Sequence, residues 1–173
     1  MNAHYLSEKP SKFALDLINY LKTNNNLLEI GFGNGTDLLF FENQGFNVKG
    51  IDLSEEFVIK AKSKGLGVIQ SSAESLPYLE NTFDIIYSKN VLHFTDLNKS
   101  IKEIFRVLKP NGLAYLVLIL QTKSKNNKII FELDVEPYLK NKKVIKKKEF
   151  IKIDEEGTNN KHTHKLLFCI LEK

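Results

Sequence analysis

The chain alternates short apolar runs with longer segments of helical spacing, and this alternation limits the folds open to it. The apolar runs hold few polar residues, which is typical of strands buried on both faces of a parallel sheet. They cover residues 27–30, 47–51, 67–70, 83–88 and 113–120, and the helical segments cover about 11–22, 34–44, 54–64 and 96–108. The pattern predicts an α/β fold with helices on both faces of a mainly parallel sheet.

Two of the predicted helices carry recognisable N-terminal caps. Ser54 and Asp96 are residue types that accept hydrogen bonds from the first free backbone N–H groups of a helix. After Asp96, the residues Leu97, Ile101 and Ile104 recur on one helical face. These signals predict helices that begin directly after residues 54 and 96.

The C-terminal part departs from the strand–helix rhythm. Residues 143–154 and 162–171 are predicted strands, and the loop between them is too short to hold a crossover helix. We therefore expect them to pair antiparallel as a hairpin. A C-terminal helix is expected before the hairpin, from about residue 129.

Composition favours a soluble protein of a reducing compartment. The chain has 173 residues, enough for one domain with a proper core. Its longest apolar run, 113–120, is far shorter than the ~20 residues of a membrane span, and its N-terminus lacks the apolar stretch of a secretory signal. Cys169 is the single cysteine, so neither an internal disulfide nor a thiolate metal site is expected. We predict a cytoplasmic location and no metal.

Positive charge is concentrated between residues 121 and 152, where ten lysines face four acidic residues in a chain of net charge +4. One interpretation is a surface for a polyanion such as RNA, or for an acidic partner. The other is a solvated loop and strand. Arg106 is the only arginine, and phosphate recognition usually recruits arginine for its bidentate geometry, so we favour the second interpretation.

A glycine-rich turn joins the first predicted strand to the next helix. Gly31, Gly33 and Gly35 allow the backbone to turn tightly and to approach a ligand with no Cβ in the way. In open α/β sheets, ligands lie beyond the carboxyl ends of the strands. Asp52 ends the second strand, where a carboxylate can accept hydrogen bonds from ribose hydroxyls. The turn and Asp52 together predict a nucleoside-containing ligand.

The charge at Glu29 and the glycine spacing favour one class of ligand. Glu29 precedes the first glycine by two positions, where it would repel the phosphates of a dinucleotide and attract the ammonium and sulfonium of S-adenosylmethionine. The glycines read G-x-G-x-G, whereas dinucleotide turns usually read G-x-G-x-x-G. S-adenosylmethionine is therefore the expected cofactor, and a nicotinamide-dependent oxidoreductase is disfavoured.

Four sequence blocks in order, between Leu27 and Leu118, resemble the class I S-adenosylmethionine-dependent methyltransferases, in particular their small-molecule-type core domain. The blocks are LLEIGFGNG, GIDLSEEFV, SSAESLPYLENTFDIIYSKNVLHF and IKEIFRVLKPNGLAYLVL. The resemblance implies a Rossmann-like fold with a seven-stranded, mainly parallel sheet and an antiparallel C-terminal strand. We expect one domain over 1–173, with an N-terminal helix at about 11–22, a cofactor-binding core at about 27–120 and a C-terminal helix and hairpin at about 129–171.

The resemblance also implies roles in cofactor binding for the first two blocks. Glu29, Gly31 and Gly33 would line the methionine moiety of the cofactor. Asp52 would hold the ribose, and Leu53 would pack on the adenine.

The third block implies the rest of the cofactor site. Ser72 and Ala73 correspond to the segment that reads the adenine edge, and Ser88 and Asn90 would face the region of methyl transfer. Related sequences often carry Asp where this chain has Ser72, so the adenine contact is expected to be weaker here or to pass to Glu74.

His93 is the candidate catalytic residue, as the one histidine near the predicted cleft. It could act as a general base near neutral pH, or it could be a packing residue whose ring bonds to the backbone. The related motif often reads His-His, and here it reads His93-Phe94. Because the sulfonium already activates the methyl group, alignment of an acceptor for in-line displacement is the main task expected of the protein.

The expected function is methyl transfer from S-adenosylmethionine, leaving S-adenosylhomocysteine, to a small-molecule acceptor. A homodimer or a partner subunit could complete the active site, since only about residues 121–142 are free to form a lid. The alternative is a non-catalytic cofactor-binding or adaptor subunit of a methyltransferase complex that docks RNA through residues 121–152.

Overall fold

The computed structural model describes residues 9–21, 25–124, 129–156 and 160–173. Its strands are β1 Asn26–Ile30, β2 Asn47–Asp52, β3 Val68–Gln70, β4 Phe83–Lys89, β5 Leu108–Lys123, β6 Ile129–Glu132, β7 Lys143–Glu156 and β8 Asn160–Glu172. Its helices are α1 Lys12–Leu17, α2 Thr36–Asn43, α3 Glu55–Lys62, α4 Leu97–Val107 and α5 Glu136–Leu139, with 3-10 turns at Ile18–Tyr20 and Leu92–Phe94.

The strands form one sheet in the order β3-β2-β1-β4-β5-β8-β7, and β6 pairs with the far end of β5. Strands β1 to β5 are parallel neighbours, and β8 runs antiparallel between β5 and β7. This confirms the Rossmann-like α/β fold and the antiparallel hairpin at its end. The strand order reverses at β1, with β2 on one side and β4 on the other, and such a switch point is where ligands bind in open α/β sheets.

Alternate residues of the central strands enter two separate cores. Leu28 of β1 and Ile86 of β4 pack with Ile104 of α4 on one face of the sheet. Leu27 and Tyr87 of the same strands pack on the other face, in a cluster that also holds Ala14, Leu17, Leu38 and Phe41 of α1 and α2. Because both faces of the sheet are covered, the sequences of these strands are almost continuously apolar.

Both predicted helix caps are confirmed. The Ser54 side chain accepts a hydrogen bond from the Phe57 N–H at 3.4 Å, and the Asp96 side chain accepts one from the Lys99 N–H at 3.3 Å. The longest helix of the described residues, α4, has 11 residues. No helix in this described part of the chain is long and apolar enough to cross a membrane.

The prediction that a C-terminal helix begins at about residue 129 is wrong. Residues Ile129–Glu132 form β6, and the helix is limited to the four residues of α5. The reason is tertiary: β5 continues past the end of β4, whose last pair is Lys89 with Val117, and offers free backbone groups to another strand. β6 pairs there, so the sheet has one more strand than the seven expected.

Leu116→Ala tests the packing of β5. Leu116 is fully buried, and its strand neighbours are Ser88 on β4 and Cys169 on β8. We expect the truncation to lower the free energy of unfolding by about 2–5 kcal/mol, because it leaves a cavity in the core. Urea denaturation measures the loss. The control is Leu79→Ala at an 83% exposed leucine, which should change stability by no more than about 0.5 kcal/mol. Equal effects at both positions would contradict the described core.

Candidate active site

A cavity of about 170 Å³ opens at the carboxyl ends of β1 and β2. It brings together four of the residues predicted for the cofactor site, which are Gly31, Asp52, Leu53 and Ala73. The other lining residues are Ile30, Ile51, Ser71, Val91, Phe94 and Thr95. Sequence reasoning did not single out Val91, Phe94 and Thr95, although they follow β4 directly and therefore reach the same edge of the sheet.

The glycine-rich turn is fastened to β2 at the cavity. The Gly31 N–H donates to the Ile51 carbonyl at 2.8 Å, and the Gly33 N–H donates to Asp52 Oδ2 at 2.9 Å. Gly31 has φ +71°, and a Cβ built there would lie 2.1 Å from Val91 Cγ2. Only glycine fits this position, because a side chain would meet both an unfavourable backbone conformation and the Val91 side chain.

Asp52 presents a backbone-anchored carboxylate to the cavity. Its Oδ1 accepts from the Ser54 N–H at 2.9 Å, while Oδ2 holds the glycine turn as described above. Each carboxylate oxygen can accept more than one hydrogen bond, so both retain capacity for ligand hydroxyls. Leu53 lies beside it with 66% of its surface exposed, an apolar wall that a flat ring could cover.

Glu29 lies on β1, two residues before Gly31, and is 3% exposed. Its Oε2 has no hydrogen-bond partner among the described residues. Burial, followed by the nearby charge of Asp37, raises the pKa of Glu29 well above its ordinary value, against an opposing effect of Lys89. A buried carboxyl group without a partner is costly, and a cationic ligand group would relieve that cost.

Asp37, in the first turn of α2, is a buried acidic residue that acts on the pKa of Glu29 and was not among the residues predicted for the site. It is 3% exposed, and its carboxylate accepts from Lys89 Nζ at 2.6 Å, the Ser11 N–H at 2.7 Å, Ser11 Oγ at 2.8 Å and the Tyr87 hydroxyl at 3.0 Å. Burial acts to raise the pKa of Asp37, but the hydrogen bond and charge of Lys89, together with Ser11, hold it below its ordinary value. An acidic residue in the first turn of a helix is usually explained by its favourable interaction with the helix dipole. The sequence therefore did not distinguish this ordinary role from a role in a site.

Six residues predicted for the cofactor site do not line the cavity, and these are Glu29, Gly33, Ser72, Glu74, Ser88 and Asn90. Ser72 Oγ accepts from the Glu74 N–H at 3.1 Å. The Glu74 carboxylate accepts from the Asp96 N–H at 2.9 Å, at the start of α4, and lies 3.8 Å from Lys99 Nζ. Ser88 is buried and donates to the Ile30 carbonyl at 3.3 Å. Their roles toward a cofactor stay predictions.

Asn90 follows β4 with a left-handed backbone, φ +58°. Its N–H donates to the Val117 carbonyl at 2.9 Å, which fixes the chain as it leaves the sheet. Its buried Oδ1 has no hydrogen-bond partner in the part of the chain that the structure describes. The role of Asn90 beside the reacting groups stays a prediction, and its Oδ1 is an acceptor suited to that role.

His93 lies in the 3-10 turn after β4 and is 8% exposed. Its ring packs against Phe94 at 4.0 Å and Phe131 of β6 at 5.8 Å between ring centroids. Neither ring nitrogen has a hydrogen-bond partner within the described ranges. Burial, with a smaller effect of His164, lowers the pKa of His93 to about 4, so the imidazole is neutral at physiological pH.

The lysine-rich segment 121–152 spreads over several elements rather than one face. Lys147 pairs with Glu136, and Lys143 pairs with Glu172. Lys146 Nζ lies 3.8 Å from the Asp16 carboxylate of α1, and Lys142 Nζ lies 4.0 Å above the Phe105 ring of α4. These cations are engaged with this chain's own acidic and aromatic groups.

The family model described as a methyltransferase domain matches residues 28–116, just over half of the chain. The chain belongs to this methyltransferase domain family, which confirms the resemblance read from the four sequence blocks.

Two bacterial methyltransferases are among the curated proteins that this chain resembles. The chain is 36% identical over 104 residues to the uncharacterized methyltransferase YcgJ of Bacillus subtilis, covering 56% of this chain and 41% of the relative. It is 34% identical over 104 residues to the ubiquinone/menaquinone biosynthesis C-methyltransferase UbiE of Rickettsia typhi, covering 51% and 42%. The chain thus spans about half the length of the curated relatives it matches.

Among solved structures, a S-adenosylmethionine-dependent methyltransferase of Methanosarcina mazei superposes with a TM-score of 0.71. The two chains are 21% identical, and the superposition covers 91% of this chain and 96% of the other. At this identity the likeness shows a shared fold.

Glu29→Gln is expected to stabilise the folded protein at neutral and alkaline pH. The raised pKa means that the folded state holds a proton that the unfolded chain has released, so stability of the unsubstituted protein falls as pH rises between the two pKa values. Glutamine carries no charge and removes this slope. Thermal unfolding should show a gain in Tm for the variant that is larger at about pH 8 than at about pH 5.

The matched control is Glu103→Gln, at a carboxylate in the opposite situation. The hydrogen bond from Arg106 lowers the pKa of Glu103, so its ionised form stabilises the fold above the unfolded pKa. This variant should lose stability at neutral pH and approach the unsubstituted protein in acid. A loss of stability in Glu29→Gln that is larger at neutral pH than in acid, as expected for Glu103→Gln, would show that Glu29 is ionised and paired in the folded state.

Proposed function

We propose that this chain binds S-adenosylmethionine in the cavity at the carboxyl ends of β1 and β2 and transfers its methyl group to a small-molecule acceptor. One observation carries the proposal: Gly31, Asp52 and Leu53 meet at one cavity, and Oε2 of the buried Glu29, two residues before Gly31, has no hydrogen-bond partner among the described residues. In the cavity, Asp52 and Leu53 are complementary to the ribose and the adenine, and Glu29 is the complementary residue for the ammonium, although it does not line the cavity.

The residues fit the cofactor in chemical terms. Asp52 can accept hydrogen bonds from the ribose hydroxyls, and Leu53 can pack on the adenine, with Ala73 near its edge. Glu29 would become ionised against the ammonium group, which offsets the cost of its burial. The absence of a Cβ at Gly31 leaves the backbone free for close approach.

The same charges argue against a dinucleotide. Asp37 and Asp52 act on Glu29 as like charges, and Lys89 is the cation that acts on it. A pyrophosphate placed on the glycine turn would face this acidic group of side chains, whereas a sulfonium and an ammonium would be attracted to it.

When bound, S-adenosylmethionine supplies a methyl group that the sulfonium already activates. The chain's own contribution is then to hold the acceptor in line and to exclude water. His93 is neutral near pH 7 and can take a proton from the acceptor, although its low pKa makes it a weak base. The buried Oδ1 of Asn90 is a further acceptor at the same edge.

The acceptor is assigned to small molecules by similarity. The four sequence blocks resemble the small-molecule-type core domain, and one relative carries the name of a ubiquinone/menaquinone biosynthesis C-methyltransferase. A reducing, cytoplasmic location is proposed on the single cysteine, Cys169, which is buried as a free thiol.

Calorimetric titration of the purified chain tests the cofactor. We expect S-adenosylmethionine and S-adenosylhomocysteine to bind, and NAD not to bind. Asp52→Asn should weaken both by about 10-fold to 100-fold, the equivalent of the roughly 1.5–3 kcal/mol of a hydrogen bond to a charged group.

The control is Asp84→Asn on β4, a carboxylate that pairs with Lys109 at 2.9 Å toward the opposite edge of the sheet. Its affinity should match that of the unsubstituted protein, and Tm values of both variants report on folding. Binding of NAD, or of neither sulfur compound, would overturn the proposal. Binding with methyl turnover only in the presence of another protein would favour the adaptor function instead.

A further inference from the structure

Lys89 ends β4 at the edge of the sheet where the cavity opens. Its Nζ lies 2.6 Å from Asp37 Oδ2, and its side chain is 32% exposed. Asp37 is its only hydrogen-bond partner in the described ranges. Since a lysine ammonium has three N–H groups, two remain for a ligand.

The strand register places Lys89 next to the glycine turn. β1 and β4 pair Glu29 with Tyr87 and Ile30 with Ser88, so Lys89 comes one position further toward the carboxyl edge, level with Gly31. Alternate residues of a strand share a face, so Tyr87 and Lys89 lie on the same face as Glu29. A cation at the level of the turn therefore stands near a buried carboxyl group one level below it.

The position of the Lys89 ammonium is set by a buried network. Asp37 also accepts from Ser11, which caps α1, and from the buried Tyr87 hydroxyl. These additional donors, from the start of α1 and from β4, fix the position of the Asp37 carboxylate. The lysine is thus ordered before any ligand arrives, which reduces the entropy lost on binding.

We infer that Lys89 binds the α-carboxylate of the amino-acid end of the cofactor, while Glu29 binds its ammonium group. The inference rests on the proposed function. An amino acid carries both charges on one carbon, and Glu29 and Lys89 offer the two opposite charges on neighbouring strands at adjacent levels. The free N–H groups of Lys89 would make charge-assisted hydrogen bonds to the carboxylate oxygens.

The experiment compares S-adenosylhomocysteine with its decarboxylated analogue, which keeps the ammonium and adenosine groups. The unsubstituted protein should bind the analogue about tenfold more weakly or worse, because the contact to Lys89 is lost. Lys89→Met should bind both compounds with similar affinity. The difference in binding free energy between the two compounds is measured for each protein, and the two differences are compared. This comparison isolates the interaction of Lys89 with the carboxylate from any general effect of the substitution.

Two further variants control for impaired folding and for the loss of a lysine elsewhere on the chain. Lys89→Met leaves the Asp37 carboxylate buried without its cation, which can impair folding. Asp37→Asn combined with Lys89→Met removes both charges and should likewise bind the two compounds alike. Lys109→Met is the matched control, because this lysine is 36% exposed and also pairs with an aspartate of β4, at 2.9 Å. It should retain the full preference for the carboxylate.

The outcomes separate this inference from the proposed function. A preference that survives Lys89→Met, or equal weakening of both compounds, would show that Lys89 only supports the fold and would overturn the inference alone. Failure of the unsubstituted protein to bind S-adenosylhomocysteine would overturn the proposed cofactor and the inference with it.

Discussion

Parallel pairing of β1 with β2 on one side and β4 on the other determines how the cavity is built. It aligns the ends of three strands, so residues distant in sequence reach one edge of the sheet. Asp52 ends β2, the glycine turn follows β1, and Lys89 ends β4. Because the strand order reverses here, no strand covers the crevice between them, and a ligand can enter.

The same edge holds two buried acidic residues in different surroundings. Glu29 is buried without a partner for Oε2 among the described residues, and Asp37 is buried with a lysine. An apolar residue at position 29 would fit the surrounding core at lower cost. Sites where polar groups are buried without partners are commonly functional. The two apolar clusters on the faces of the sheet offset the free-energy cost of this burial.

β5 extends beyond the end of β4 and carries two further strands there. β6 and β8 both pair with the end of β5, and Phe131 of β6 packs on His93. This packing, rather than a hydrogen bond to the backbone, surrounds the imidazole and lowers its pKa. The same strand explains why a helix does not form from residue 129, since its backbone groups find partners in the sheet.

The structural features that could be predicted from the sequence are local or periodic. The caps at Ser54 and Asp96, the alternation of strands and helices and the glycine turn depend on residues within a few positions of one another, and each could be predicted with its reason. The Asp37–Lys89 pair, the contact of Glu74 with α4 and the pairing of β6 were decided by tertiary structure. Partners in these contacts come from different elements, and only strand order and register set which side chains meet.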